Sequence, residues 1–122
     1  MMIDILVINE LQWFYDGQVV SPAVQNVFEA KYYENVKRVV ALVGDNWDRP
    51  EYLIGFDLEG NQVFSAQSPQ GFLFEYLTSH QEADIAVICG VVDIEQGNEA
   101  WSDFYFAVND QTGELNKISP AR

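Results

Sequence analysis

The sequence predicts an α+β domain, a mostly antiparallel sheet of about eight strands with two short helices packed on it. Three observations carry this expectation. Short β-branched and aromatic runs are separated by turn dipeptides, and one of them, Tyr52 to Leu58, alternates cleanly. Two Ser-Pro pairs, Ser21-Pro22 and Ser68-Pro69, head segments whose apolar residues recur at helical spacing. Finally, Phe28-Glu29 and Gly44 recur as Phe74-Glu75 and Gly90, both at an offset of 46 residues. A decayed duplication of a ββαβ unit would give this echo, and so would chance. Residues 1–122 are read as one domain.

Taken in order, Ile3 to Asn9 is a strand by its β-branched run. Leu11 to Tyr15 and Gln18 to Val20 flank Asp16-Gly17, a dipeptide suited to the positive φ angles of a tight hairpin. After Ser21-Pro22, the residues Ala23, Val24, Val27 and Phe28 form one helical stripe, and the predicted helix runs to about Tyr33. Arg38 to Val43 is a buried strand stopped by Gly44-Asp45. Tyr52, Ile54, Phe56 and Leu58 point one way from the next strand, and Glu59-Gly60-Asn61 turns it back into Gln62 to Ala66. After Ser68-Pro69, Phe72, Leu73, Tyr76 and Leu77 mark the second predicted helix. Strands follow at Asp84 to Asp93, Phe104 to Val108 and Leu115 to Ile118. Tyr32-Tyr33 and Phe72-Leu73-Phe74 would suit strands equally well, so an all-β sandwich or barrel is the alternative.

Composition excludes several classes. With 48% hydrophobic and 14% aromatic residues, the chain can build a core and is not disordered. The net charge of -13 argues against binding bare nucleic acid or an anionic membrane. No apolar run approaches the roughly 18 residues needed to span a bilayer, and the N-terminus lacks a basic leader, so a cytoplasmic location is expected. The one cysteine, Cys89, lies in an apolar run and reads as a buried structural thiol. With a single histidine, His80, zinc is not expected. Calcium is not expected either, because Asp45-Asn46-Trp47-Asp48-Arg49 puts Trp and Arg where ligands belong. The sequence contains no phosphate-binding glycine loop and no nucleophile elbow. The expectation is therefore a non-enzyme without cofactor.

Charge is unevenly placed. From Pro50 to Asn116 there is no Lys or Arg, while twelve acids occupy that stretch. Trp47 stands among Asp45, Asp48 and Glu51, and Trp101 among Asp93, Glu95, Glu99 and Asp103. Aromatic anchors among steering carboxylates would suit the capture of a basic partner. These nine residues are the predicted partner-binding set, although both tryptophans could equally be core residues.

This profile resembles bacterial toxin-immunity proteins, such as those of contact-dependent inhibition systems, in being small, acidic and studded with Trp among acids. The resemblance implies an inhibitor that binds one cognate basic toxin domain, often a nuclease, and blocks its working face. No motif carries residue roles across. Two alternatives stand beside it. One is a small-ligand or regulatory binding module, with Trp13, Phe14 and Tyr15 as candidates for a pocket wall. The other is an acidic nucleic-acid mimic, with charges spaced like phosphates.

Overall fold

Both segments predicted as helices are strands, and the α+β reading gives way to an all-β fold. The computed structural model describes residues 3–7, 10–92 and 102–121. Its strands, in chain order, are β1 (Ile5–Val7), β2 (Leu11–Tyr15), β3 (Gln18–Val20), β4 (Val27–Tyr33), β5 (Arg38–Val43), β6 (Tyr52–Phe56), β7 (Gln62–Gln67), β8 (Phe72–His80), β9 (Ala83–Val91), β10 (Asp103–Val108) and β11 (Leu115–Pro120). They form three antiparallel sheets rather than one: β1-β2-β3, β4-β5-β6-β7 and β8-β9-β10-β11, each a meander of consecutive strands.

The helical spacing has a physical origin in β-bulges. In β8 the ladder slips between Phe74 and Tyr76, so the inward residues are Phe72, Phe74 and then Leu77. One extra residue converts a period of two into a step of three, which imitates a helix face. In β4 the slip lies between Val27 and Glu29, which makes Phe28 the extra residue, while Ala23 and Val24 of that predicted stripe precede the strand. The Ser-Pro pairs open turns instead of helices. Ser21 Oγ donates to the Leu11 carbonyl at 3.1 Å, and Phe72 N–H donates to the Pro69 carbonyl at 3.0 Å, with Gly71 at φ 84°. The repeated Phe-Glu pair therefore marks the bulged first strand of each large meander, and the repeated glycine ends or follows its second strand. The repeated unit contains no helix, so the ββαβ form of the echo is corrected.

The layers follow from which faces are apolar. One face of the central sheet contributes Tyr33, Val40, Leu42, Leu53 and Phe64 to a core shared with the C-terminal sheet. That sheet supplies Phe72, Phe74, Leu77, Ile85, Val87, Cys89, Phe104, Phe106 and Val108. The opposite face supplies Val27, Val39, Ala41, Val43 and Phe56 to a second core, where Leu11 and Trp13 of the N-terminal sheet cover them. Strand β5 is thus buried on both faces, which is why its sequence is an unbroken apolar run.

Polar ties hold the layers in register. The Trp13 indole N–H donates to the Leu58 carbonyl at 2.9 Å. The Tyr33 hydroxyl reaches across to the carbonyls of Thr78 at 2.7 Å and Ala86 at 3.0 Å; burial first, and Glu29 second, push its pKa far above the usual phenol value. The Glu29 carboxylate accepts from the Leu77 N–H, beside the β8 bulge. Cys89 is fully buried, and burial pushes its thiol up to about 12.

The hairpin expected from Tyr52 to Ala66 is present as β6 and β7, with Phe56 buried on the face shared by Tyr52, Ile54 and Leu58. Its turn is organised by Asp57, whose carboxylate accepts from the backbone N–H groups of Glu59 and Asn61. The hairpin at Asp16-Gly17 has φ values of 51° and 79°, the left-handed pair that this tight turn requires. No helix among the described residues is long and apolar enough to cross a membrane.

Candidate functional site

The loop between β5 and β6 is an ordered structure built by its own acids. Glu51 N–H donates to the Val43 carbonyl at 2.8 Å, closing the neck of the loop. The Glu51 carboxylate accepts from Asp45 N–H at 3.2 Å. Asp45 in turn accepts from the Tyr52 hydroxyl at 3.3 Å, and its charge raises the Tyr52 pKa. Asn46 accepts from Asp48 N–H at 2.8 Å, a side-chain turn that mimics a backbone one. The carbonyls of Arg49 and Asn46 fold over Gly44 so closely that a Cβ there would lie 2.5 and 2.8 Å from them. Gly44 is thus required by close approach.

This frame pushes Trp47 outward. Its side chain is 65% exposed, and its only described ring contact is edge-on to Phe28, with centroids 5.3 Å apart. Phe28 is the extra residue of the β4 bulge, so the bulge aims a supporting ring at the loop. Trp47 is therefore a surface residue and has no part in either core. Asp45 and Asp48 are exposed and Glu51 is half-buried.

The second half of the predicted set is reached only in part. Asp93, Glu95, Glu99 and Trp101 lie outside the described residues. Asp103 opens β10 and pairs with Gly90 of β9, which pairs with Leu73 of β8. Leu73 lines a shallow cleft together with Arg49, Glu51, Tyr52, Gln67 and Ser68. The flanks of the 93–101 segment join the same region: Val91 N–H donates to the Ser102 carbonyl at 2.7 Å, and Val92 N–H to the Gly71 carbonyl at 3.0 Å. The Trp47 loop, the β7–β8 connection and Asp103 thus gather at one end of the sandwich.

Sequence reasoning singled out Asp103 but not its partner. Glu75, the extra residue of the β8 bulge, hydrogen-bonds the Asp103 carboxyl across Gly90. A Cβ on Gly90 would sit 2.4 Å from Glu75 Oε1 and 3.2 Å from Asp103 Oδ1, so the glycine makes room for the pair. Partial desolvation first, and then the bond and charge of Asp103, raise the Glu75 pKa to about 7. Two carboxyls in contact share a proton more readily than both ionise. The signal that could have found Glu75 was its match to Glu29 at the same offset, since both acids stand at bulges.

Trp13, Phe14 and Tyr15, suggested as a pocket wall, do not share one face. These are consecutive residues of β2, so alternation sends Trp13 into the core and Phe14 to the outside. Among the described residues, no three His, Cys, Asp or Glu side chains gather as metal ligands would. Compared with protein families, with curated proteins and with solved structures, the chain shows no match.

Proposed function

We propose that this protein is a binding protein rather than an enzyme, and that it captures a basic protein domain through the acidic end of its sandwich. The toxin-immunity reading is its most specific form: a cytoplasmic inhibitor that covers the positive, phosphate-attracting face of a cognate toxin, such as a nuclease domain. One observation carries the proposal. Trp47 is exposed on an ordered acidic loop, braced by Phe28, at the end where Asp103 and Glu75 also stand. A large rigid aromatic held out of the core provides an anchor at low entropic cost, and surrounding carboxylates speed encounter with a positive surface. Twelve acids and no Lys or Arg lie between Pro50 and Asn116, so the acids outnumber the two cations described near this end, Arg49 on the loop and Lys117 over the Phe104 ring.

The test is co-expression and co-purification with basic nuclease toxin domains encoded beside this gene, followed by kinetics on the pair that forms. Replacing Asp48, Glu95, Glu99 and Asp103 with their amides is expected to slow association at low salt and to flatten its salt dependence. Trp47→Ala is expected to speed dissociation and to cost about 2 kcal/mol or more of binding. An association rate that is unchanged in the quadruple variant, with folding intact, refutes the acidic-end reading.

A further inference from the structure

The outward face of the N-terminal sheet has the wrong polarity for a surface that meets only water. Alternation turns Ile5, Leu11, Trp13 and Val20 toward the central sheet and leaves Leu6, Gln12, Phe14 and Val19 outside. Of these four, only Gln12 is polar. Phe14 and Val19 are register partners, 61% and 63% exposed, and Leu6 on the neighbouring strand is 46% exposed. A solvated sheet face is normally polar, and a contiguous apolar one marks a contact surface. Neither described core uses these three side chains.

The charges around the patch select its occupant. Asp4 precedes β1, Glu10 precedes β2 and Asp16 forms the β2–β3 turn, and all three are exposed. The first Lys or Arg of the chain, Lys31 on β4, lines one shallow groove with Asp4 and holds its ammonium over the Tyr33 ring at 5.7 Å, which leaves acids in excess around the patch. A second copy would bring the same acids against themselves on a chain of net charge -13, and an anionic membrane would be repelled likewise. A basic, apolar protein segment meets both requirements.

We propose that the outer face of β1–β3 docks an amphipathic basic segment of a protein partner. Its apolar side chains would cover Leu6, Phe14 and Val19, and its Lys or Arg residues would reach Asp4, Glu10 and Asp16. This surface is separate from the acidic loop end. Trp13 bonds to Leu58, and Val20 abuts Gly60, at the β6–β7 turn; the Trp47 loop leads into the opposite end of β6. The inference goes beyond the toxin-inhibitor reading and stands or falls without it.

The experiment titrates the isotope-labelled full chain with a synthetic Leu/Lys amphipathic peptide at low salt and follows the backbone amides. A Leu/Glu peptide and a Ser/Lys peptide of the same pattern are the controls. The Leu/Lys peptide is expected to shift the amides of β1–β3, the Leu/Glu peptide to shift none, and the Ser/Lys peptide to bind at least about tenfold more weakly. The double variant Phe14→Ser/Val19→Ser, altered only at exposed positions, is expected to weaken binding about tenfold or more, whereas Trp47→Ala leaves it unchanged. No shift at β1–β3, or binding that survives the double variant, overturns the proposal. A dimer of the chain alone that the double variant abolishes in sedimentation equilibrium also overturns it, and assigns the face to a second copy.

Discussion

The two large meanders are built alike and buried differently. Each begins with a bulged strand carrying a Phe-Glu pair and continues into a strongly apolar second strand, β5 or β9. Strand β5 is buried because a separate layer covers it, with Leu11 and Trp13 lying over Val39, Ala41 and Val43. On the outer face of β9, Ala86, Ile88 and Gly90 are equally buried, yet no described strand lies over them. Ile88 stands between its register partners Tyr76 and Tyr105 of the same sheet. An apolar run in a sequence therefore reports burial on both faces without saying what supplies it.

Five substitutions test this contrast. The largest effect is expected from Trp13→Ala, which removes the main side chain covering the first meander and leaves the Leu58 carbonyl without its donor. The expected cost is about 3–5 kcal/mol in denaturant unfolding, with faster hydrogen exchange in β1–β3 and β5 and little change in β9. Equal loosening of β9 would show that the layers do not behave separately.

The glycines give the next contrast. Gly55 lies in the first meander under the Phe64 ring, where a Cβ would come within 2.1 Å of the ring edge. A packed aromatic cannot yield without disturbing the core, so Gly55→Ala is expected to cost about 1–3 kcal/mol. In Gly90→Ala of the second meander, the new methyl meets the tip of the flexible Glu75 side chain. The expected loss is below about 1 kcal/mol. Thermal unfolding of both variants checks the order, and a reversal would mean that the Glu75–Asp103 pair is held as firmly as a core ring.

The carboxyl pair also gives the second meander a pH dependence. Glu75 titrates near 7 in the folded chain against an ordinary value of 4.5. Between those values the folded state keeps a proton that the unfolded state has lost. The pair is therefore without cost below about pH 4.5 and disfavours folding progressively as pH rises through 7. Glu75→Gln is expected to remove this slope and to stabilise the protein slightly at pH 8, by less than about 1 kcal/mol, because the side chain is only partly desolvated and solvent screens most of the effect. An unchanged pH profile of unfolding would count against proton sharing. The smallest effect belongs to Trp47→Ala, expected to change stability by less than about 0.5 kcal/mol, since the ring is mostly in solvent. A larger loss would make Trp47 a structural residue of the loop instead of a candidate anchor.

Much of the strand pattern was legible in local chemistry. Asp16-Gly17 and Glu59-Gly60-Asn61 set hairpins, the alternation of Tyr52 to Leu58 set a face, and Arg38 to Val43 set a buried strand, because each signal acts within a few residues. The second helix failed because a bulge adds one residue to a period-two pattern, and the first because Ala23 and Val24, which precede β4, fall in helical phase with Val27 and Phe28; a short window cannot distinguish strand from helix in either case. Of the candidate site, the acids beside Trp47 were legible from composition. Glu75 was hidden because its significance depends on a partner across the sheet and on the missing side chain of Gly90.

The turns, the alternating faces, the charge excess and the absence of Lys and Arg between Pro50 and Asn116 are all written in the sequence. These are properties of neighbouring residues, or sums over the chain, and they need no knowledge of long-range contacts. The division of the strands into three sheets, the burial of Trp13 against the exposure of Phe14 and Trp47, and the meeting of Glu75 with Asp103 come from long-range packing. Each of those outcomes depends on which remote surface an element packs against. Identical alternation buries one face or the other according to what lies across from it.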